Sequence, residues 1–223
     1  ANGAAQLVRL TYLGNADGDS IVDMAVLPDG NLLLHGTTYS SSFPVTAGAY
    51  KTVFTAIASE HFLSIMSADL TSLLVSTYHD YDIQGMSVGP DGSVTFGGVA
   101  GTLPPSAAGG WDESFNGGFD DGYVARLDPA LSTHLWATFL GGAGPDLVKS
   151  VTVGEDGSVL VTGQTSSPNF PTTPFAPDKT FSLGLADPFV AWLSADGQEL
   201  LYRTYFGGSG SASASGAPVA FDG

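Results

Sequence analysis

Apolar and polar positions alternate in short bursts along this 223-residue chain, and no stretch sustains the 3.6-residue beat of an amphipathic helix. The cleanest passage runs from Asp146 to Tyr205. An apolar run, Leu147 to Val153, meets Glu155-Asp156-Gly157 and returns through Ser158 to Gly163, the pattern of a strand, a tight turn and a strand. A long Ser/Thr/Pro loop follows. Asp187 to Leu193 and Glu199 to Tyr205 then form a second pair, joined at Ser194-Ala195-Asp196-Gly197. Four antiparallel strands make one unit.

The unit recurs. Asp-Gly pairs at Asp29, Asp91, Asp156 and Asp222 are separated by 62, 65 and 66 residues. Phe62, Tyr123 and Phe189 open the third strand on the same beat, and Tyr78, Phe139 and Tyr205 close the fourth. A four-stranded unit at this period predicts an all-β fold, a segment of a β-propeller, rather than a helical solenoid. Whole blades are expected over 19–78, 82–139 and 146–205. The stretch 6–13 is expected to be the last strand of a preceding blade, and 217–223 the first strand of a following one. In the first blade the strands fall near 21–27, 31–37, 60–66 and 73–78, with a long loop at 38–59; the second has its long loop at 99–121. The second strands, such as Ser158 to Gly163, are apolar on both faces, as suits a sheet sandwiched between sheets.

The third unit carries Gly141-Gly142 with Asp146, then Asp156-Gly157, Val161-Thr162-Gly163-Gln164-Thr165-Ser166-Ser167, Phe170-Pro171-Thr172-Thr173 and Asp187-Pro188-Phe189-Val190-Ala191-Trp192-Leu193. This pattern resembles the bacterial SBBP family, the seven-bladed β-propeller repeat. It is fair in the first unit and departs in the second, where Leu103-Pro104 replaces Phe-Pro and 111–121 is an acidic insert. The resemblance implies a propeller from an exported or surface protein, extracellular or on the cell surface, and carries no catalytic residues.

Charge narrows the partners. Twenty-two acids against six Lys and Arg give a net charge of −16, which disfavours nucleic acid and anionic membrane surfaces. Asp outnumbers Glu, and Asp is a turn residue in a chain full of turns. Cysteine is absent, so disulfides, thiolate metal sites and a Cys nucleophile are excluded. No apolar run approaches the ~20 residues of a membrane-spanning helix.

Candidate chemistry sits at loops. Asp19, Asp82 and Asp146 enter first strands, and Glu60, Asp121 and Asp187 enter third strands; antiparallel alternation sends all six, with the long loops, to one face, the expected binding surface. Each acid could instead cap its own turn. Asn15, Asp17 and Asp19 stand at alternate positions, like the first half of a calcium loop without the rest of an EF-hand. The insert adds Asp112, Glu113, Asn116, Asp120 and Asp121, hard oxygen ligands among glycines. If a metal binds, calcium is the expected ion. The four His lack zinc spacing, no G-x-S-x-G elbow exists, and adjacent Asp120 and Asp121 are poor candidates for glycoside chemistry. Trp111, Phe115, Phe119, Phe170 and Phe175 are the aromatics a saccharide reader would expose on the long-loop face.

These features predict a non-enzymatic scaffold or recognition module. Its partner is expected to be a protein, or further blades of the same polypeptide that complete 6–13 and 217–221. A carbohydrate-binding or carbohydrate-cleaving propeller, and a structural subunit joined through open blade edges, stand as alternatives.

Overall fold

Alternating apolar positions, punctuated by Asp-Gly turns at which glycine supplies a positive φ (+86° at Gly30, +82° at Gly92, +81° at Gly157), fold this chain into twelve strands. The computed structural model describes residues 9–15, 17–101, 109–182 and 184–207. Among them there is no helix, and the strands form three four-stranded antiparallel sheets, the blades of a propeller-type segment. The chain divides into two units, one ending at Asp80 and one starting at Tyr81.

The first unit holds one sheet, β1 (Asp19–Val26), β2 (Leu32–Thr38), β3 (Glu60–Met66) and β4 (Leu73–His79), in that spatial order. Asp19 pairs with Thr38 and Thr38 with Glu60, so the entrances to the first and third strands lie at one end of the sheet and the hairpin turns at the other. The outer strand β4 would leave a row of unpaired main-chain groups, and the long loop folds back along it to satisfy them. Thr46 N donates to Ser76 O at 2.9 Å and Tyr78 N to Lys51 O at 2.9 Å. The loop also lays Phe43 and half-buried Phe54 on Phe62 and Tyr78.

The second unit holds two sheets: β5 (Gly85–Val88), β6 (Val94–Ala100), β7 (Asp121–Leu127) and β8 (His134–Leu140); then β9 (Asp146–Val153), β10 (Val159–Thr165), β11 (Asp187–Leu193) and β12 (Leu200–Tyr205). Both repeat the strap. Phe139 N donates to Asp112 O at 2.8 Å and Tyr205 N to Asp178 O at 3.2 Å, while Thr138 and Thr204 hydroxyls accept from the N–H groups of Asp112 and Asp178, as Thr77 does from Lys51 in the first unit.

The two sheets of this unit meet through β9, which packs on β5, β6 and β7. The contact is close because the facing positions lack side chains. A Cβ on Gly97 would lie 2.5 Å from Val148 Cγ1, and one on Gly85 would lie 2.9 Å from Lys149 O. Val148 is fully buried there, among a core of Val124, Val151, Val161, Phe189 and Leu193. Such burial contributes about 1.5–3 kcal/mol per large apolar side chain.

Of the flanking strands expected at 6–13 and 217–223, residues 9–13 are described and are in no strand, and 6–8 and 217–223 lie outside the described residues. In the second blade the first strand is short, Gly85–Val88, with Gln84 N bonded to Gly97 O at 2.8 Å just before it and the Gln84 amide to Asp82 at 2.6 Å.

Candidate functional site

Within each blade the strand-entry acids gather at one end, as antiparallel alternation requires. Their oxygens are engaged by their own loops. Third-strand acids accept a main-chain N–H from five residues earlier: Thr55 to Glu60 at 2.5 Å, Asn116 to Asp121 at 2.6 Å and Ser182 to Asp187 at 2.7 Å. First-strand acids accept from four residues earlier, Asn15 to Asp19 at 2.8 Å and Gly142 to Asp146 at 2.7 Å. A carboxylate that accepts such bonds closes the loop before its strand.

Burial and charge set their protonation. Burial pushes the Asp121 carboxyl up to about 6, despite the Asn116 N–H, and the charges of Asp146, Asp112 and Asp120 push the same way. Burial raises Asp146 as well. Burial also works against ionised Glu60, but Lys51 at 2.8 Å and the N–H groups of Thr55 and Ala56 outweigh it and hold this carboxyl below its ordinary value. One oxygen each of Asp19, Glu60, Asp121 and Asp146 is buried without a hydrogen-bond partner.

The residues singled out for calcium are dispersed into such bonds. Asn15 donates its side-chain amide to Ser42 O at 2.7 Å, and Asp17 is exposed. Asp112 accepts from Ser114 N and from the Asn116 amide, each at 2.9 Å, Glu113 accepts from Gly109 N, and Asp121 faces Asn116. Among the described residues no three or more His, Asp or Glu side chains converge as a metal group. Asp120 contributes its main-chain oxygen to Asp146 N at 2.9 Å.

The five aromatics do not form one platform. Phe170 is buried in the third blade, 4.7 Å from Phe189 and 5.8 Å from Tyr205 by ring centroid, because the loop that bears it must cover the sheet. Trp111 is half-buried against the same core, with its main-chain N–H bonded to Gly197 O at 2.7 Å. Phe115 stands edge-on to Phe139, whereas Phe119 and Phe175 are exposed.

Two arginines organise the second unit. Arg203 is fully buried with its guanidinium 3.9 Å from the Phe170 ring centre and 5.1 Å from that of Trp111, and burial pushes its pKa down to about 9. Arg126, on β7, reaches into the next sheet. Its Nε donates to Thr95 Oγ1, its Nη1 to Ala195 O and its Nη2 to Gly157 O, each at 2.8 Å, and it lies 5.3 Å from the Trp136 ring centre. Trp136 Nε1 donates to the same Ala195 oxygen at 3.1 Å.

Those bonds hold two hairpin turns, at Gly157 and Ala195, beside a cleft of ≈ 580 Å³ at the turn end of the sheets, which Gly109 of the long loop also lines. Pro90, Leu135 and Trp136 supply its apolar wall; Asp91, Glu155, Asp156 and Asp196 line it with carboxylates. Hydrogen bonds from Ser93 and Ser158 hold Asp91 and Asp156 below their ordinary values, and bonds from Ser194 and Gln198 do so for Asp196. All three are therefore ionised near neutral pH. Sequence reading passed over this site because each turn is ordinary alone. The available signal was Arg126 itself, a lone basic residue inside the apolar run Tyr123-Val124-Ala125-Arg126-Leu127, which cannot be buried without partners.

No family model matches the chain, and no curated protein matches it. Among solved structures it is similar to an acylaminoacyl peptidase in complex with Z-Gly-Gly-Phe-chloromethyl ketone, at 12% identity and a TM-score of 0.43, over 84% of this chain and 25% of that one. It is also similar to the Pyrococcus horikoshii acylaminoacyl peptidase, at 14% identity and a TM-score of 0.44, over 85% and 25%. The chain thus spans a quarter of the length of the proteins it matches, and likeness at this level extends to neither activity nor substrate.

Proposed function

We propose that this chain is a non-enzymatic recognition and scaffold module, and that the turn-end cleft of its second unit takes a basic segment of a protein partner. The cleft carries the reading: four carboxylates and an apolar wall surround a space large enough for a Lys or Arg side chain, whose stem packs on Leu135 and Pro90 while its head stays at the acidic rim. The single guanidinium there, Arg126, is committed to Thr95, Ala195 and Gly157, so the rim stays negative. Arg126 also keeps the turns in place before any partner arrives, which lowers the ordering cost of binding. At the strand-entry end, by contrast, burial raises the Asp121 and Asp146 carboxyls, whereas Asp91, Asp156 and Asp196 in the cleft are held below their ordinary values. The reading keeps the extracellular or surface setting that the sequence resemblance implies.

Isothermal titration with tetralysine tests it. Binding that weakens with added salt is expected, and Glu155→Gln, which removes a rim charge, is expected to weaken it about two- to fivefold, the scale of an exposed ion pair. No binding, or binding indifferent to Glu155→Gln, overturns the reading.

A further inference from the structure

The turn-end cleft carries its charges in an order, and that order selects among basic segments. Its carboxylates come from three hairpin turns: Asp91 between β5 and β6, Glu155 and Asp156 between β9 and β10, and Asp196 between β11 and β12. Val153 N donates to Ser87 Oγ at 3.0 Å, which sets the first two turns side by side and groups Asp91 with Glu155 and Asp156. The strand order β12-β11-β10-β9 places the turn of Asp196 two strand spacings away, about 10 Å. Each aspartate spends Oδ1 on its own turn, accepting from Ser93, from Ser158, or from Ser194 and Gln198, which leaves Oδ2 for a ligand. Among the described residues no three acids converge on one ion, so the cleft offers two separate negative points.

A fixed positive group stands between them. Arg126, 5% exposed, donates to Gly157 O in one turn and to Ala195 O in the other. With the bond to Thr95, these use three of the five N–H groups of a guanidinium, and two remain on a side chain that lines the cleft. A ligand that matches this order has two cations held apart and an uncharged hydrogen-bond acceptor between them. An extended peptide supplies both, because residues i and i+2 point the same way about 7 Å apart, immediate neighbours point opposite ways, and main-chain carbonyls lie between.

We infer that the partner segment is extended and carries Lys or Arg at alternate positions: one basic side chain meets Asp91, Glu155 and Asp156, the next but one meets Asp196, and a main-chain carbonyl between them accepts from Arg126. This rests on the reading of the cleft as a site for a basic segment, and it adds the spacing. Two adjacent basic residues bring only one cation into the cleft, where three carboxylates hold it in preference to one. A diamine brings two cations but leaves the remaining Arg126 N–H groups facing methylenes.

Isothermal titration at low salt with two blocked tripeptides of equal charge, acetyl-Lys-Ala-Lys-amide and acetyl-Lys-Lys-Ala-amide, tests the inference. The alternating peptide is expected to bind about two- to fivefold tighter than the adjacent one, the scale of one further exposed ion pair, and tighter than cadaverine, a diamine of the same charge. Asp196→Asn keeps the Oδ1 acceptor of its turn; it is expected to bring the alternating peptide down to the adjacent one and to leave the adjacent one unchanged. Asp196→Ser takes its place if circular dichroism shows it unfolded. Tetralysine that binds and responds to Glu155→Gln, with the two tripeptides bound alike, with neither bound, or with both indifferent to Asp196→Asn, overturns the inference and leaves the reading of the cleft intact. Cadaverine bound as tightly as the alternating peptide overturns the role given to the main-chain carbonyl. Tetralysine that does not bind overturns both.

Discussion

Arg126 Nη2 donates to the carbonyl oxygen of Gly157 at 2.8 Å, so a strand of one sheet holds the hairpin turn of the next. Two further bonds, to Thr95 and Ala195, leave the guanidinium with a fixed orientation that a single ammonium cannot copy. Arg126→Met is expected to cost roughly 3 kcal/mol, because it strands the Gly157 oxygen and the Thr95 hydroxyl and removes one of the two donors to Ala195 O, and Arg126→Lys is expected to restore less than half of that. Urea unfolding measures both; an Arg126→Met protein as stable as wild type would contradict this role.

Thr204 shows why the long loops are straps. Its hydroxyl accepts from Asp178 N at 3.2 Å and donates to Asp178 O at 2.9 Å, on an outer strand that has no other sheet neighbour. Thr204→Val keeps the shape and removes both bonds. A loss of about 1–3 kcal/mol is expected, with faster hydrogen exchange at Asp178 and Thr180 than at Val161, a core strand.

The pH dependence turns on Asp121. Its folded pKa, about 6, lies above the ordinary carboxylate value of 3.8, so the native state holds its proton more tightly than the unfolded state does. A raised acid costs stability when ionised. That cost is present above pH 6, falls as pH drops through 6, and is gone near 4. Asp146, also raised, acts in the same direction, while Glu60, held low by its partners, loses stability only at more acidic pH. Asp121→Asn is expected to melt higher than wild type at pH 7.5, with an advantage that shrinks through pH 5 and is gone near pH 4, as thermal melts across the range will show; an advantage that grows toward pH 5 would contradict the assignment.

Gly97→Ala tests the sheet contact. The new methyl meets Val148 Cγ1 at 2.5 Å and Tyr123 O at 2.8 Å, and the main chain on one side cannot yield, so a cost of about 1–3 kcal/mol or more is expected. Gly30→Ala, where nothing lies within 4 Å, pays only for its φ of +86°, about 1 kcal/mol. Comparable losses at the two sites would remove the packing argument.

Much of this architecture is legible in the sequence. Asp29-Gly30, Asp91-Gly92 and Asp156-Gly157 each need the positive φ of a hairpin turn, and Phe62, Tyr123 and Phe189 mark the same strand in three sheets, so period and strand type agree. Loop interiors were less legible. Phe170 follows Ser166-Ser167-Pro168-Asn169 and reads as an exposed loop residue, but the loop turns back and buries it on Phe189. In the acidic insert, Asp112 and Asp121 accept hydrogen bonds from Ser114 and Asn116 of their own loop, a local pairing that composition does not record. The cleft needs Asp91, Glu155 and Asp196 to meet in space across more than a hundred residues, which no local pattern records.

The central claim, recognition of a basic segment at the turn end, is tested most directly by mapping tetralysine on the ¹⁵N-labelled protein by amide chemical shifts. The account predicts perturbation centred on Asp91, Glu155, Asp156, Gly157, Asp196 and Gln198, diminishing with salt. Perturbation centred instead on Asn116, Asp121 and Gly142, at the strand-entry end, would contradict it.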